Sequence, residues 1–235
     1  MRKTEKVALF GKATIEYIKG GGGSGDVHCP YIRNIYEGFK MKGVEVYEPL
    51  ADFYKKYVEV EGKNIPSQKE IDAVWDIVNA NDFFTTIAEL GDKNRDEVTY
   101  DTFARMHVKE AEVPTELIES ASQWAETAVV TISRFSAEGV DRRNQGGDYL
   151  LSDLEKNLLN KVCSLFRKVV VIINSGGPVD CEFFAENPQI PALLYSWQGG
   201  MEGGAAIADI LYGDVCPSGK LVDTITKSYD YYPCV

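Results

Sequence analysis

The stretch KVVVIIN, residues 168–174, constrains the fold more than any other part of the chain. A continuous β-branched run has no polar face to offer water. It therefore reads as a central parallel strand covered on both sides. The residues before it, 152–166, carry apolar side chains at helical spacing, and Ser152 with Glu155 three positions on forms a capping-box pattern. Upstream, AVVTIS (128–133) reads as another buried strand and KVALF (6–10) as the first. YIRNIYEGFKMKG (31–43) places Ile32, Ile35, Tyr36 and Phe39 at helical spacing before a glycine stop, and VEVY (44–47) reads as a second strand. Downstream come a short helix near 181–186, the strand ALLYSW (192–197), the small-residue helix EGGAAIADILYG (202–213) and an alternating edge strand, GKLVDTIT (219–226).

Strands separated by helices of this length predict an α/β fold: a mostly parallel, roughly six-stranded sheet sandwiched between helices, in the flavodoxin-like manner. At 235 residues the chain is long enough for one such domain, 1–235. Residues 48–123 break the rhythm. They are charged, helical in parts and aromatic (Phe53, Tyr54, Tyr57, Trp75, Phe83, Phe84), with too little apolar content for a core of their own. They read as a helical insertion on one domain.

Composition narrows the partners. A formal charge of −11, with no basic cluster longer than two residues, argues against a nucleic-acid ligand. No run is long and apolar enough for a membrane span or a signal peptide, so the sequence as given reads as soluble and cytoplasmic. The five cysteines (29, 163, 181, 216, 234) form no C-x-x-C pair and read as single thiols, and His28 and His107 lie far apart. No metal and no cofactor are expected.

Ligands of open α/β sheets sit beyond the carboxyl ends of the strands. Three polar or glycine-rich loops fall there: 20–28, 135–151 and 175–180. GGGGSGD (20–26) satisfies G-x-G-x-x-G only as a glycine run does, and about ten residues separate it from the first strand. It has two readings: a turned loop, or backbone approaching a ligand with Ser24 or Asp26 bonded to it. NSGGPVD (174–180) reads as a structural turn, with Asp180 capping the next helix. RFSAEGVDRRNQGGDYLLSD (134–153) concentrates charge and glycine after a strand. There, Asp141, Arg142 and Arg143 can pair locally, residues 146–147 let the loop fold back, and Glu138 stands uncrowded between Ala137 and Gly139.

Taken in order, GGGGSGDV, SRFSAEGVDRR…GGDYLLSDLEKNLL, KVVVIINSGGPVD and QGGMEGGAAIADILYGDVCPSGKL…TKSYDYYP resemble the α/β-sandwich domain of glycoside hydrolase family 3 β-glucosidases. The resemblance runs from residue 6 to 233 and is weakest over 48–123. It implies that Glu138 is the general acid/base, that Ser24 contacts the sugar, and that Asp26 and Asp141 are structural. It also implies a partner: a barrel domain that carries the aspartate nucleophile and most sugar contacts. No SDW-like or KHF-like segment occurs here, so the chain reads as one domain of a larger retaining β-glucosidase that removes terminal β-linked glucose. By itself it is expected to be inactive. Two departures stand out: QGGMEGG where the family often has PGQEGG, and LVDTIT where it has LPxTFP. A rival from another class is a stand-alone flavodoxin-like module that binds a nucleotide or sugar phosphate on the glycine loop. A third reading is an interaction domain with the aromatic insertion as its adhesive face.

Overall fold

A computed structural model describes residues 1, 5–79, 97–98, 100, 102, 106–137, 141–222 and 224–233. Its centre is a four-stranded parallel sheet in the order β1 (Val7–Phe10), β2 (Thr127–Arg134), β3 (Lys168–Ser175), β4 (Ala192–Tyr195). Val7 pairs with Thr127, Thr127 with Lys168 and Val170 with Ala192, so the amino ends of β1, β2 and β3 are level. Every residue of β1 and β2 is buried, as the unbroken apolar runs require.

The helices that lie wholly within the described residues are α1 (Ile35–Met41), α2 (Glu48–Glu61), α3 (Gln68–Asn79), α4 (Thr115–Trp124), α5 (Asp153–Leu165), α6 (Glu182–Glu186) and α7 (Gly203–Leu211). Side chains alternate across a strand, which divides the core in two. Ala8, Phe10, Val130 and Ile132 meet Leu50 and Tyr54 of α2, Ile118 of α4 and Leu159 of α5. Val7, Leu9, Val129 and Ile172 meet Ile35 and Phe39 of α1 and Ile207 of α7. Thus α2 and α4, the two ends of the charged segment, help cover the sheet. Tyr54 is fully buried and donates its position to the fold by accepting the Gly11 amide at 2.8 Å. Phe53 and Tyr57, both partly buried, pack against the same core. Phe83 and Phe84 lie outside the described residues.

Two strand expectations need correction. VEVY makes only an isolated parallel bridge, Val46 to Val7, closed by Val7 N–H to Glu45 O and Tyr47 N–H to Val7 O, both at 3.0 Å. GKLVDTIT is not a strand over its described residues. Its alternation finds no sheet edge, and Leu221 and Val222 stand 56% and 84% exposed. The sheet therefore has four strands among the described residues, not about six.

Helix α7 packs on the sheet through Ile207 and Ala208, and its glycines bring it unusually close to α1. A Cβ on Gly204 would stand 2.0 Å from the Asn34 carbonyl oxygen, and one on Gly38 would stand 2.1 Å from the Gly204 carbonyl oxygen. Gly38 costs α1 roughly 0.5–1 kcal/mol in helix propensity, and the close approach is what it permits. The capping box on α5 forms as its sequence predicts: Glu155 N–H donates to Ser152 Oγ at 3.3 Å, and Ser152 N–H to Glu155 Oε2 at 2.7 Å.

Candidate functional site

All strands are parallel, so the loops after β1, β2, β3 and β4 leave the same edge of the sheet. Chain β1 turns sharply at Gly11, which has φ 93° and whose Cβ would lie 2.1 Å from the Thr131 carbonyl oxygen. The chain then crosses the end of the sheet to Ile18. There Asn174, the last polar residue of the KVVVIIN run, grips it from both sides. Ile18 N–H donates to Asn174 Oδ1 at 2.9 Å, and Asn174 Nδ2 donates to Ile18 O at 3.0 Å and Trp197 O at 2.7 Å. One fully buried amide thus holds the approaches of three loops. Trp197 sits in the left-handed region, φ 52°, which a bulky residue adopts only when its surroundings enforce it. A single asparagine ending a buried apolar run is the only sequence signal of this clamp.

The glycine loop comes next. Gly22 N–H donates to Ser136 O at 2.8 Å, and Gly22 pairs with Ala137 in a parallel bridge. A Cβ on Gly21 would stand 2.8 Å from the same Ser136 oxygen, so the two loops touch backbone to backbone. Ser24 lies exposed in the turn Gly23–Gly25. Lys19 Nζ donates to Asp26 Oδ1 and Val27 O, both at 2.8 Å, which closes the base of the loop. Asp26 therefore serves the shape of the loop.

Glu138, the acid/base candidate, lies outside the described residues, together with Gly139 and Val140. Its flanks are described. Ala137 is bound to the glycine loop, and Asp141 is exposed on the far side. Among the described residues Arg142 takes Asp148, not Asp141, as its carboxylate, with Nη1 to Oδ1 at 2.8 Å. Arg143 instead lies over the Tyr100 ring, 3.6 Å from its centre. The local pairing expected of Asp141 with the arginines is thus replaced by a longer-range one. The fold-back at 146–147 is present: Gly147, φ 85°, donates to Leu150 O at 2.9 Å. Asp180 is not the cap of α6: Cys181 holds that position with no side-chain cap bond, and Asp180, two residues before Glu182, accepts from Glu182 N–H at 3.1 Å.

Behind the 135–148 loop lies a cavity of about 430 Å³ walled in part by Lys12, Glu110, Ser136 and Arg142. Glu155 and Glu110 both line it and differ in charge environment. Burial works to raise the Glu155 carboxyl, but Arg134 outweighs it: two bonds of 2.6 and 2.8 Å hold the group below its ordinary value. Among the described residues no arginine or lysine side chain bonds to Glu110. Burial pushes it up to about 7, against the Lys12 and Ala111 backbone amides that it accepts at 3.0–3.2 Å. The residue as a whole is only half-buried, yet its carboxyl is enclosed by protein.

The folded state thus keeps a proton on Glu110 that the unfolded chain releases near the ordinary value of 4.5. Its contribution to stability is complete below that value and is lost as pH rises through about 7. Glu110→Gln keeps an acceptor for both amides and removes the charge. At pH 8 it is expected to stabilise the chain by about 1–3 kcal/mol, and at pH 4.5 to change little. Urea titrations at the two pH values measure this, and an equal effect at both would show that the carboxyl is not the titrating group.

A model of the glycosyl hydrolase family 3 C-terminal domain matches residues 1–234. β-Glucosidase A of Butyrivibrio fibrisolvens is 35% identical over 99% of this chain, and β-glucosidase of Ruminococcus albus is 30% identical over 98%. The chain spans 26% and 21% of those two proteins. Among solved structures, β-glucosidase 3B of Thermotoga neapolitana in complex with α-D-glucose superposes with a TM-score of 0.76 at 31% identity, over 98% of this chain and 28% of that one.

Proposed function

The chain belongs to glycoside hydrolase family 3 as its C-terminal domain, and on that premise we propose that it supplies the general acid/base, Glu138, and a sugar-contacting loop bearing Ser24 to a retaining β-glucosidase. The observation that carries this reading is the bond from Gly22 N–H to Ser136 O. It sets the glycine loop against the residues that lead into Glu138, so two loops distant in sequence reach one place. The nucleophile comes from a companion barrel domain, and the substrate is a glycoside with a terminal, non-reducing β-D-glucosyl residue.

The chemistry follows from this division. Retaining hydrolysis needs two carboxyl groups about 5–5.5 Å apart across the scissile bond. The barrel aspartate attacks the anomeric carbon while Glu138 gives its proton to the departing oxygen. Glu138 then takes a proton from the water that releases the sugar. To start protonated, a carboxyl must be raised from its usual value, and docking of the barrel over the loop removes the water that would stabilise its charge. The isolated chain has one of the two carboxyl groups and turns over nothing.

The nucleotide or sugar-phosphate reading is not favoured. Phosphate sites use free amides at a helix start just after the glycine loop. Here α1 begins only at Ile35, and Asn34 with Glu37 closes a capping box over its first turn.

Proton NMR of the first sugar released by the enzyme with its barrel tests the proposal. β-Glucose is expected before mutarotation. Initial α-glucose would mean inversion and a different pair of roles.

A further inference from the structure

Arg142 stands four residues after Glu138 in the sequence, and its guanidinium is only 14% exposed at the side chain. Its contacts run outward in three directions. Nη1 donates to Asp148 Oδ1 at 2.8 Å, and Nη2 donates to Ser136 Oγ at 2.7 Å and to Ser175 Oγ at 3.2 Å. Ser136 lies two residues before Glu138, so one planar fork ties the residue that enters this stretch to the residue that leaves it. Ser175 ends β3, which anchors both to the sheet.

The partners are themselves held. Asp148 is buried, and its second oxygen accepts from Arg143 N–H at 2.7 Å and Tyr100 Oη at 2.6 Å. Tyr229 Oη donates to the Arg142 carbonyl at 2.5 Å. On the other side, the Ser136 carbonyl is the acceptor of the Gly22 amide. The chain of contacts Asp148–Arg142–Ser136–Gly22 therefore crosses from one functional loop to the other. Shielded, multiply bonded guanidinium pairs keep their geometry, which exposed pairs on flexible stems do not.

We propose that Arg142 is a positioning residue that locks the glycine loop and the entry to the Glu138 loop into one unit, so that Ser24 and Glu138 meet the same sugar together. The inference rests on the assignment of Glu138 as acid/base. The neighbouring pair Arg134–Glu155 differs in kind, since it joins β2 to α5 and touches neither Ser136 nor the glycine loop.

Two measurements test it. In the chain itself, hydrogen exchange of the Gly22 amide is expected to be at least tenfold faster in Arg142→Ala, with β3 amides still protected. Arg143→Ala, which loses only the stacking on Tyr100, is expected to leave Gly22 unchanged. In the enzyme with its barrel, Arg142→Ala is expected to lower kcat/KM for cellobiose about 10–100-fold and for a 2,4-dinitrophenyl glucoside only a few-fold. Arg142→Lys keeps the charge but not the fork, and is expected to behave like the alanine variant. Unchanged Gly22 exchange, equal losses on the two substrates, or full rescue by lysine would each overturn the proposal. If Glu138→Ala itself shows no leaving-group dependence, the acid/base assignment fails, while Gly22 exchange still decides whether Arg142 couples the loops.

Discussion

Glu138→Ala, in the enzyme with its barrel, is expected to lower kcat/KM for cellobiose by about 10²–10⁴. That is about 3–5 kcal/mol of transition-state stabilisation. The size of the loss depends on the leaving group. A sugar alkoxide is too basic to depart without a proton, whereas dinitrophenolate departs unaided. For the activated glucoside the first step is expected to fall less than about tenfold. Its second step still needs a base to activate water, so a burst of phenolate followed by slow turnover is expected in stopped-flow traces. If Glu138 is the acid, the alkaline limb of the pH profile for cellobiose is expected to vanish as well. Equal losses on both substrates, with no burst, would remove Glu138 from the role.

Gly204→Ala is expected to destabilise the chain by about 3–4 kcal/mol, which is large for one methyl group. The Cβ would stand 2.0 Å from Asn34 O and 2.6 Å from Arg33 O, and both are backbone atoms with no rotamer to change. Helices α1 and α7 must therefore part. Parting breaks the bonds from Gly204 N–H to Arg33 O, 3.1 Å, and from Arg33 N–H to Met201 O, 2.7 Å. It also disturbs Asn34, whose side chain caps α1. In a domain of this size the melting temperature is expected to drop by about 6–16 °C. Gly62→Ala is the control: nothing lies within 4 Å of its Cβ and its φ is −59°, so a change within about 1 kcal/mol is expected. A similar loss in both variants would show that the close crossing does not set the cost, since alanine in place of glycine only improves helix propensity.

The parts of the fold legible in the sequence are those in which one segment settles its own environment. KVVVIIN needs cover on both faces whatever its neighbours are, and Ser152 with Glu155 closes a cap within one turn. GKLVDTIT shows the limit. Alternation states which residues would share a face, but only a free sheet edge makes a strand, and none receives this one. The site divides the same way. Glycines and charges beyond the strand ends marked the loops. The groups that hold them were not marked, since Asn174 finds Ile18, and Arg142 finds Ser175, only after the sheet has formed. Asp148 looked like any loop acid until its partners came together around it.

The parallel register carries a consequence for how the chain reaches this state. Strands β2, β3 and β4 follow one another with single crossovers, whereas β1 must wait for Thr127 to pair with Val7. A longer loop costs little at equilibrium, about 0.6 kcal/mol for each doubling of length. Its effect is on time, because distant pairings lower the folding rate. The β2–β4 half is therefore expected to form first and β1 to dock last. The Gly22–Ser136 bond hangs from β1, so the glycine loop and the loop after β2 are expected to come together in the closing step of folding.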